Sequence, residues 1–192
     1  NPKIWINQLA SLPTAMAELD AKYLIGGLTD KLPTKELMEK WSPEIWKRNQ
    51  GFITRETGEA ALSKASSAFV KPIQVFDGMA IKKIWNGVER EILDTTNLVK
   101  GSDSFYEAVA RRVEDIIHKT QPNYEALYRS RAGSQKGFIP RVATLFTTQR
   151  NKNFSLIYDA IATAKNTGDY SKLKRTVPSL IASTLVIAGA AS

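Results

Sequence analysis

The sequence contains no cysteine and a single histidine, His118. Without thiols there are no disulfides, no thiolate zinc or iron–sulfur sites, and no cysteine nucleophile. One imidazole cannot build a two-histidine metal site, and the H-E-x-x-H helix of zinc hydrolases is absent. A serine nucleophile would have only His118 as its histidine base. The phosphate-cradling G-x-x-x-x-G-K-[ST], the dinucleotide fingerprint G-x-G-x-x-G and the G-x-S-x-G elbow are also missing. The GSQKG run at 133–137 has glycines and a lysine at the wrong spacing, with no strand before it, and reads as a flexible basic loop. No stretch alternates strictly between apolar and polar residues, so there is no case for a sheet. No cofactor, metal or catalytic residue is expected.

Two further scarcities are local. Between Glu125 and Asp159 there is no acidic residue, while Arg129, Arg131, Lys136, Arg141, Arg150 and Lys152 fall in that interval. No apolar run reaches the roughly 20 residues needed to cross about 30 Å of hydrocarbon. The longest is VPSLIASTLVIAGAA at 177–191, 15 uncharged residues preceded by Lys172, Lys174 and Arg175. Two readings of it stay open: a buried C-terminal helix, or the start of a membrane-inserting one, with Leu180, Ile181, Leu185, Val186 and Ile187 as inserting residues. The chain begins at Asn1 without a leader pattern and is expected to be a processed product or part of a longer chain.

What is present is helical patterning. At 43% hydrophobic and 24% charged, the 192 residues can bury a real core. Phe105, Val109, Val113, Ile116 and Ile117 repeat at helical spacing, and Ser104 with Glu107 before them reads as a capping box. Ser42, Pro43 and Glu44 read as a second helix start, with Trp41, Ile45 and Trp46 clustered around it. The expected fold is an all-α bundle of about seven to nine helices, near 3–11, 14–25, 34–40, 43–50, 58–93 with a bend at Pro72, 104–119, 123–130, 139–165 and 170–190. Gly26-Gly27 reads as a turn or a weakened helix interior.

Residues 1–96 carry 13 basic and 12 acidic side chains, net +1, and residues 97–192 carry 14 and 7, net +7. A near-neutral part at 1–100 is therefore expected to precede a basic part at 101–192, either as two lobes or as one continuous unit. The basic block would meet phosphates, acidic lipid or an acidic protein, or be a solvated face. Carboxylate pairs at Glu36/Glu39, Glu56/Glu59 and Glu114/Asp115 read as solvated helix faces. His118 reads as a side chain complementing a helix C-terminus. Trp5, Trp41, Trp46 and Trp85 read as core or contact residues.

The stretch RAGSQKGFIPRVATLFTTQRNKNFSLIY at 131–158 resembles a segment of the internal or ejection proteins of tailed bacteriophages, the large polyvalent virion proteins that travel with the genome. The shared pattern is a basic small-residue loop, an R-x-x-T-x-F-x-x-Q helix start (Arg141, Thr144, Phe146, Gln149), and an N/K-rich turn into an aromatic-aliphatic helix. An apolar segment follows in that family, as 177–191 does here. The resemblance implies a structural, non-enzymatic component of an internal core, in the virion interior and then at the host envelope. It implies homo-oligomers, other virion proteins, double-stranded DNA and the host inner membrane as partners. Arg129, Arg131, Lys136, Arg141, Arg150 and Lys152 would contact phosphates, while Thr, Gln and Asn let DNA slide. Two other readings remain: a helical nucleic-acid-binding module without a membrane role, and an enzyme whose carboxylates sit in ordinary positions.

Overall fold

The computed structural model describes the backbone of residues 11–46, 64–121 and 138–191, and within these the side chains of 12–46, 78–121 and 151–186 together with Val75. Among the described residues every regular element is an α-helix, as the patterning predicts. They are α1 (Ser11–Ala15), α2 (Ala21–Gly27), α3 (Lys35–Trp41), α4 (Lys64–Thr95), α5 (Asp103–Thr120), α6 (Phe138–Thr167) and α7 (Ser171–Ala191), with a helical turn at 43–46 between α3 and α4. The expected helices at 3–11 (except its last residue) and 123–130, and the ends of those expected at 43–50 and 58–93, lie outside the described residues.

The apolar stripe of α5 organises the main core. Phe105, Val109, Val113, Ile116 and Ile117 are fully buried, against Ile81, Ile84, Trp85 and Val88 of α4, Leu24 of α2 and Met38 of α3. Trp41 and Trp46 pack on the edge around buried Ile45. Trp41 stacks on Tyr106 with ring centres 5.9 Å apart. Trp85 satisfies its indole N–H by donating to Glu89 Oε1 at 2.9 Å.

Three local expectations are corrected. The helix expected at 14–25 is two helices, because Asp20 caps α2: its carboxylate accepts from Lys22 N at 3.0 Å. The cap of α5 is Ser102, not Ser104. The Ser102 hydroxyl accepts from Phe105 N at 3.2 Å, which also places Asp103 at the positive end of the helix. Ser42 does precede a helical turn, but its buried hydroxyl donates to Glu114 Oε1 at 2.7 Å, tying that turn to α5.

Gly26-Gly27 is the C-terminal turn of α2, pressed against α4. A Cβ on Gly27 would lie 2.7 Å from the backbone nitrogen of Gly87, and one on Gly87 would lie 2.9 Å from Leu19 Cδ2. Side chains of α4 then cap the end of α2. Asn86 Nδ2 donates to the carbonyls of Gly27, Asp30 and Lys31, each at 3.3 Å. Lys83 donates to the Leu28 carbonyl, and Arg90 holds Asp30 through two bonds of 2.7 Å.

α6 and α7 form a helical hairpin. Gly168, at φ 71°, ends α6 in the left-handed conformation that suits glycine. The Asp169 carboxylate then accepts from Ser171 N at 2.8 Å and starts α7. The hairpin packs on α1 and α5, with a small second cluster of Ala17, Leu156 and Leu180.

Candidate functional site: the α6–α7 hairpin and its charged base

The hairpin joins the body through charge and small polar groups. Glu18, nearly buried in the turn after α1, receives Lys172 of α7 at 3.0 Å and Lys119 of α5 at 3.6 Å. Its backbone carbonyl accepts from Arg112 Nη2 at 2.7 Å. Arg112 also pairs with Glu91 of α4 at 2.8 Å and Asp115 at 3.2 Å. Lys172 pairs with Asp159 across the hairpin. Burial works against the Lys172 charge, but bonds to Asp159 and Glu18 outweigh it and raise its pKa. Burial likewise opposes the Arg112 charge, which Glu91 restores.

The inner face of α7 is unusually polar. Thr176, Ser179 and Ser183 are buried against α1, together with Leu180. Ser179 Oγ donates to the Pro13 carbonyl at 2.6 Å, and Thr14 Oγ1 donates to Ser183 Oγ at 3.1 Å. The Thr176 hydroxyl is buried with no hydrogen-bond partner among the described residues. The opposite face is apolar and exposed: Val177, Ile181 and Leu185, four residues apart. On α6, Leu156, Ala160 and Ala164 face inward, while Phe154 (64% exposed), Tyr158 (77%) and Ile161 (51%) line the outer side. Both helices of the hairpin thus turn large apolar side chains away from the body.

The residues singled out from sequence distribute unevenly. Of the proposed phosphate contacts, Arg129, Arg131 and Lys136 lie outside the described residues. Arg141 and Arg150 lie on α6, with their side chains outside the description. Lys152 is placed: its ammonium donates to the His118 carbonyl at 2.7 Å, in the last turn of α5. Of the proposed inserting residues, Leu180 packs inward, Ile181 and Leu185 are exposed, Val186 is half-buried, and the side chain of Ile187 is outside the description. Among the described residues no helix is long and apolar enough to cross a membrane.

The carboxylates are placed as follows. Glu114 accepts from Ser42, and Asp115 from Arg112 and Lys119. Glu36 and Glu39 are exposed on α3, and Glu56/Glu59 lie outside the described residues. Among the described residues no cluster of three His, Asp or Glu side chains could hold a metal ion. His118 is exposed in the last turn of α5, 3.6 Å from Glu44.

The outer stripe of α6 was missed in sequence reasoning. Its signal is legible in hindsight: Phe154, Tyr158 and Ile161 repeat at helical spacing on the side opposite Leu156, Ala160 and Ala164. A helix with two apolar stripes has one more than a single core contact uses. No protein-family model, no curated protein and no solved structure matches the chain.

Proposed function

We propose that this chain is a structural, non-catalytic helical module of a phage internal core or ejection assembly, accompanying the genome into the host. In that role it self-associates, meets other virion proteins, and contacts double-stranded DNA and the host inner membrane. The observation carrying the reading is the resemblance at 131–158, which runs into α6 and on into a hairpin with outward apolar faces. An assembly component needs surfaces that exceed its own core, and α6–α7 has them. Support for the non-catalytic part is limited to the described residues, where the partly buried carboxylates are held in structural contacts. Glu18, Glu89, Glu91, Glu114 and Asp115 all serve as ion-pair or hydrogen-bond partners between helices or within them.

DNA contact in this reading falls on Arg129, Arg131, Lys136, Arg141 and Arg150 more than on Lys152, whose ammonium already serves the end of α5. Neutralising several phosphates makes duplex affinity fall steeply with salt. The test is immunodetection of the chain in purified virus particles before and after triggered genome release. The reading requires it inside filled particles and gone from emptied ones. Its absence from filled particles overturns the reading. Salt-independent binding to duplex DNA, or none, removes the phosphate role of the basic block.

A further inference from the structure

α7 is inside-out by the ordinary standards of a surface helix. It buries Thr176, Ser179 and Ser183 and exposes Val177, Ile181 and Leu185. The inner polar groups are bound to α1, so the helix cannot turn its apolar side inward without breaking the bonds of Ser179 and Ser183. On α6 the exposed series Phe154, Tyr158, Ile161 continues four residues on to the exposed Lys165. On α7 the series Val177, Ile181, Leu185 is preceded by the exposed Lys174 and Arg175. Both apolar stripes therefore run from a cationic end at the hairpin turn, where Tyr170 is also exposed. The only acids on the described part of the hairpin are Asp159, paired with Lys172, and Asp169, bonded to Ser171.

From this geometry we infer that the outer face of the α6–α7 hairpin docks in the plane of an anionic lipid surface. The inference rests on the membrane-contact part of the reading above and gives it residues and an orientation. Apolar side chains enter the acyl boundary, Lys165, Lys174 and Arg175 meet lipid phosphates, and Tyr158 and Tyr170 sit at the headgroup level. Among the described residues no helix is apolar enough over its length to cross roughly 30 Å of hydrocarbon. The exposed apolar side chains of α7 lie along one side of the helix, so the docking inferred is in the plane of the surface. Leu180 takes no part, because it packs inward. The basic pole with few free acids favours an anionic surface over a second copy of this net-basic chain.

The test is flotation of the full chain with phosphatidylglycerol/phosphatidylcholine vesicles and with phosphatidylcholine alone. The expected result is recovery with the anionic vesicles, reduced by high salt and weak on the neutral ones. The double variant Ile181→Asp/Leu185→Asp should bind about tenfold more weakly. The lack of native cysteine allows a second readout that leaves the stripe largely intact. A polarity-sensitive dye at Ile181→Cys or Tyr158→Cys should shift to the blue on adding anionic vesicles, and at Thr29→Cys should not. No flotation overturns the inference, as does flotation indifferent to the double variant. A blue shift that needs protein concentration and no vesicles assigns the face to a second copy and overturns it too. Absence of the chain from virus particles would sink the virion reading while leaving these vesicle results standing.

Discussion

Replacing Gly27 by alanine probes the close crossing of α2 and α4. A Cβ there would meet Gly87 N at 2.7 Å, the carbonyl carbon of Asn86 at 2.9 Å and Asn86 Cβ at 3.1 Å. Two of these are backbone atoms of α4, which cannot rotate away as a side-chain tip can. Relief requires α2 and α4 to separate by several tenths of an ångström. That separation stretches the bonds from Asn86 to the Gly27 carbonyl at the end of α2 and to the Asp30 and Lys31 carbonyls just after it. Overpacking of this kind costs about 1–3 kcal/mol. Alanine recovers at most about 1 kcal/mol of helix propensity over glycine, and less at a helix end. The net expectation for Gly27→Ala is a loss of about 1–2 kcal/mol, or roughly 2–8 °C in Tm at this chain length. Gly26→Ala is the matched control. The three atoms nearest its Cβ would all belong to the Arg90 side chain, the closest being Nη1 at 3.0 Å. That tip can move, so the change should stay within about 0.5 kcal/mol. Urea unfolding followed by circular dichroism, with both variants at a common m-value, measures the difference. A Gly27→Ala protein as stable as wild type, or more so, would refute the close-crossing argument.

Other expectations follow from single contacts. Ser102→Ala should cost about 1 kcal/mol through loss of the α5 cap, while Ser104→Ala should change stability by less than about 0.5 kcal/mol; equal effects in a denaturant series would contradict the cap assignment. Thr176→Val replaces a buried hydroxyl that has no partner among the described residues with a methyl of similar shape, and should stabilise by about 1 kcal/mol. A destabilised variant in the same melt would mean the hydroxyl is bonded. Hydrogen bonding by Arg90 holds Asp30 below the ordinary aspartate value of 3.8, and bonds from Tyr23 and Lys22 do the same for Asp94. A carboxylate depressed in the folded state stabilises above its unfolded pKa and loses that contribution as pH falls through the folded value. Stability should therefore fall with acidification below about pH 4, and Asp30→Asn should flatten that part of the curve. An acid limb unchanged in Asp30→Asn would show that the Arg90 pair does not couple to folding.

Residues whose local pattern and tertiary role coincide were the readable ones. α5 is such a case: its stripe at 105, 109, 113, 116 and 117 is the same set of residues that the core buries. The hairpin turn is another, since Gly168 and Asp169 act within a few residues of themselves. Gly26-Gly27 was ambiguous because its reason lies 60 residues away, at Gly87. The α5 cap slipped by two residues because Ser102 and Ser104 are chemically alike, and only the start of the helix separates them. The C-terminal run was legible only in part. Its composition says apolar, and both readings of it took Leu, Ile and Val as the face that would be covered. The surface it meets is α1, with Thr14 and the Pro13 carbonyl, so hydrogen bonding selects Ser179 and Ser183 for burial and turns Ile181 and Leu185 outward. The bond of Lys152 to the His118 carbonyl was not legible, because nothing in its neighbourhood in sequence reveals the end of α5, 34 residues earlier.

The end of α1 and the turn after it stand between two cores. Ala15 and Leu19 belong to the large cluster, and Ala17 to the small one with Leu156 and Leu180. The two clusters are very unequal in apolar volume, so they should not open together. The hairpin is expected to open at a free energy below that of global unfolding. Its seat among the described residues is the small Ala17, Leu156 and Leu180 cluster, two hydroxyl bonds, the Lys172–Glu18 pair and the Lys152 bond to the His118 carbonyl. Amide hydrogen exchange would then fall into two tiers, with α6–α7 exchanging through a low-energy opening and α4–α5 only through complete unfolding. A chain built this way can surrender its outer layer to another surface while its interior stays folded.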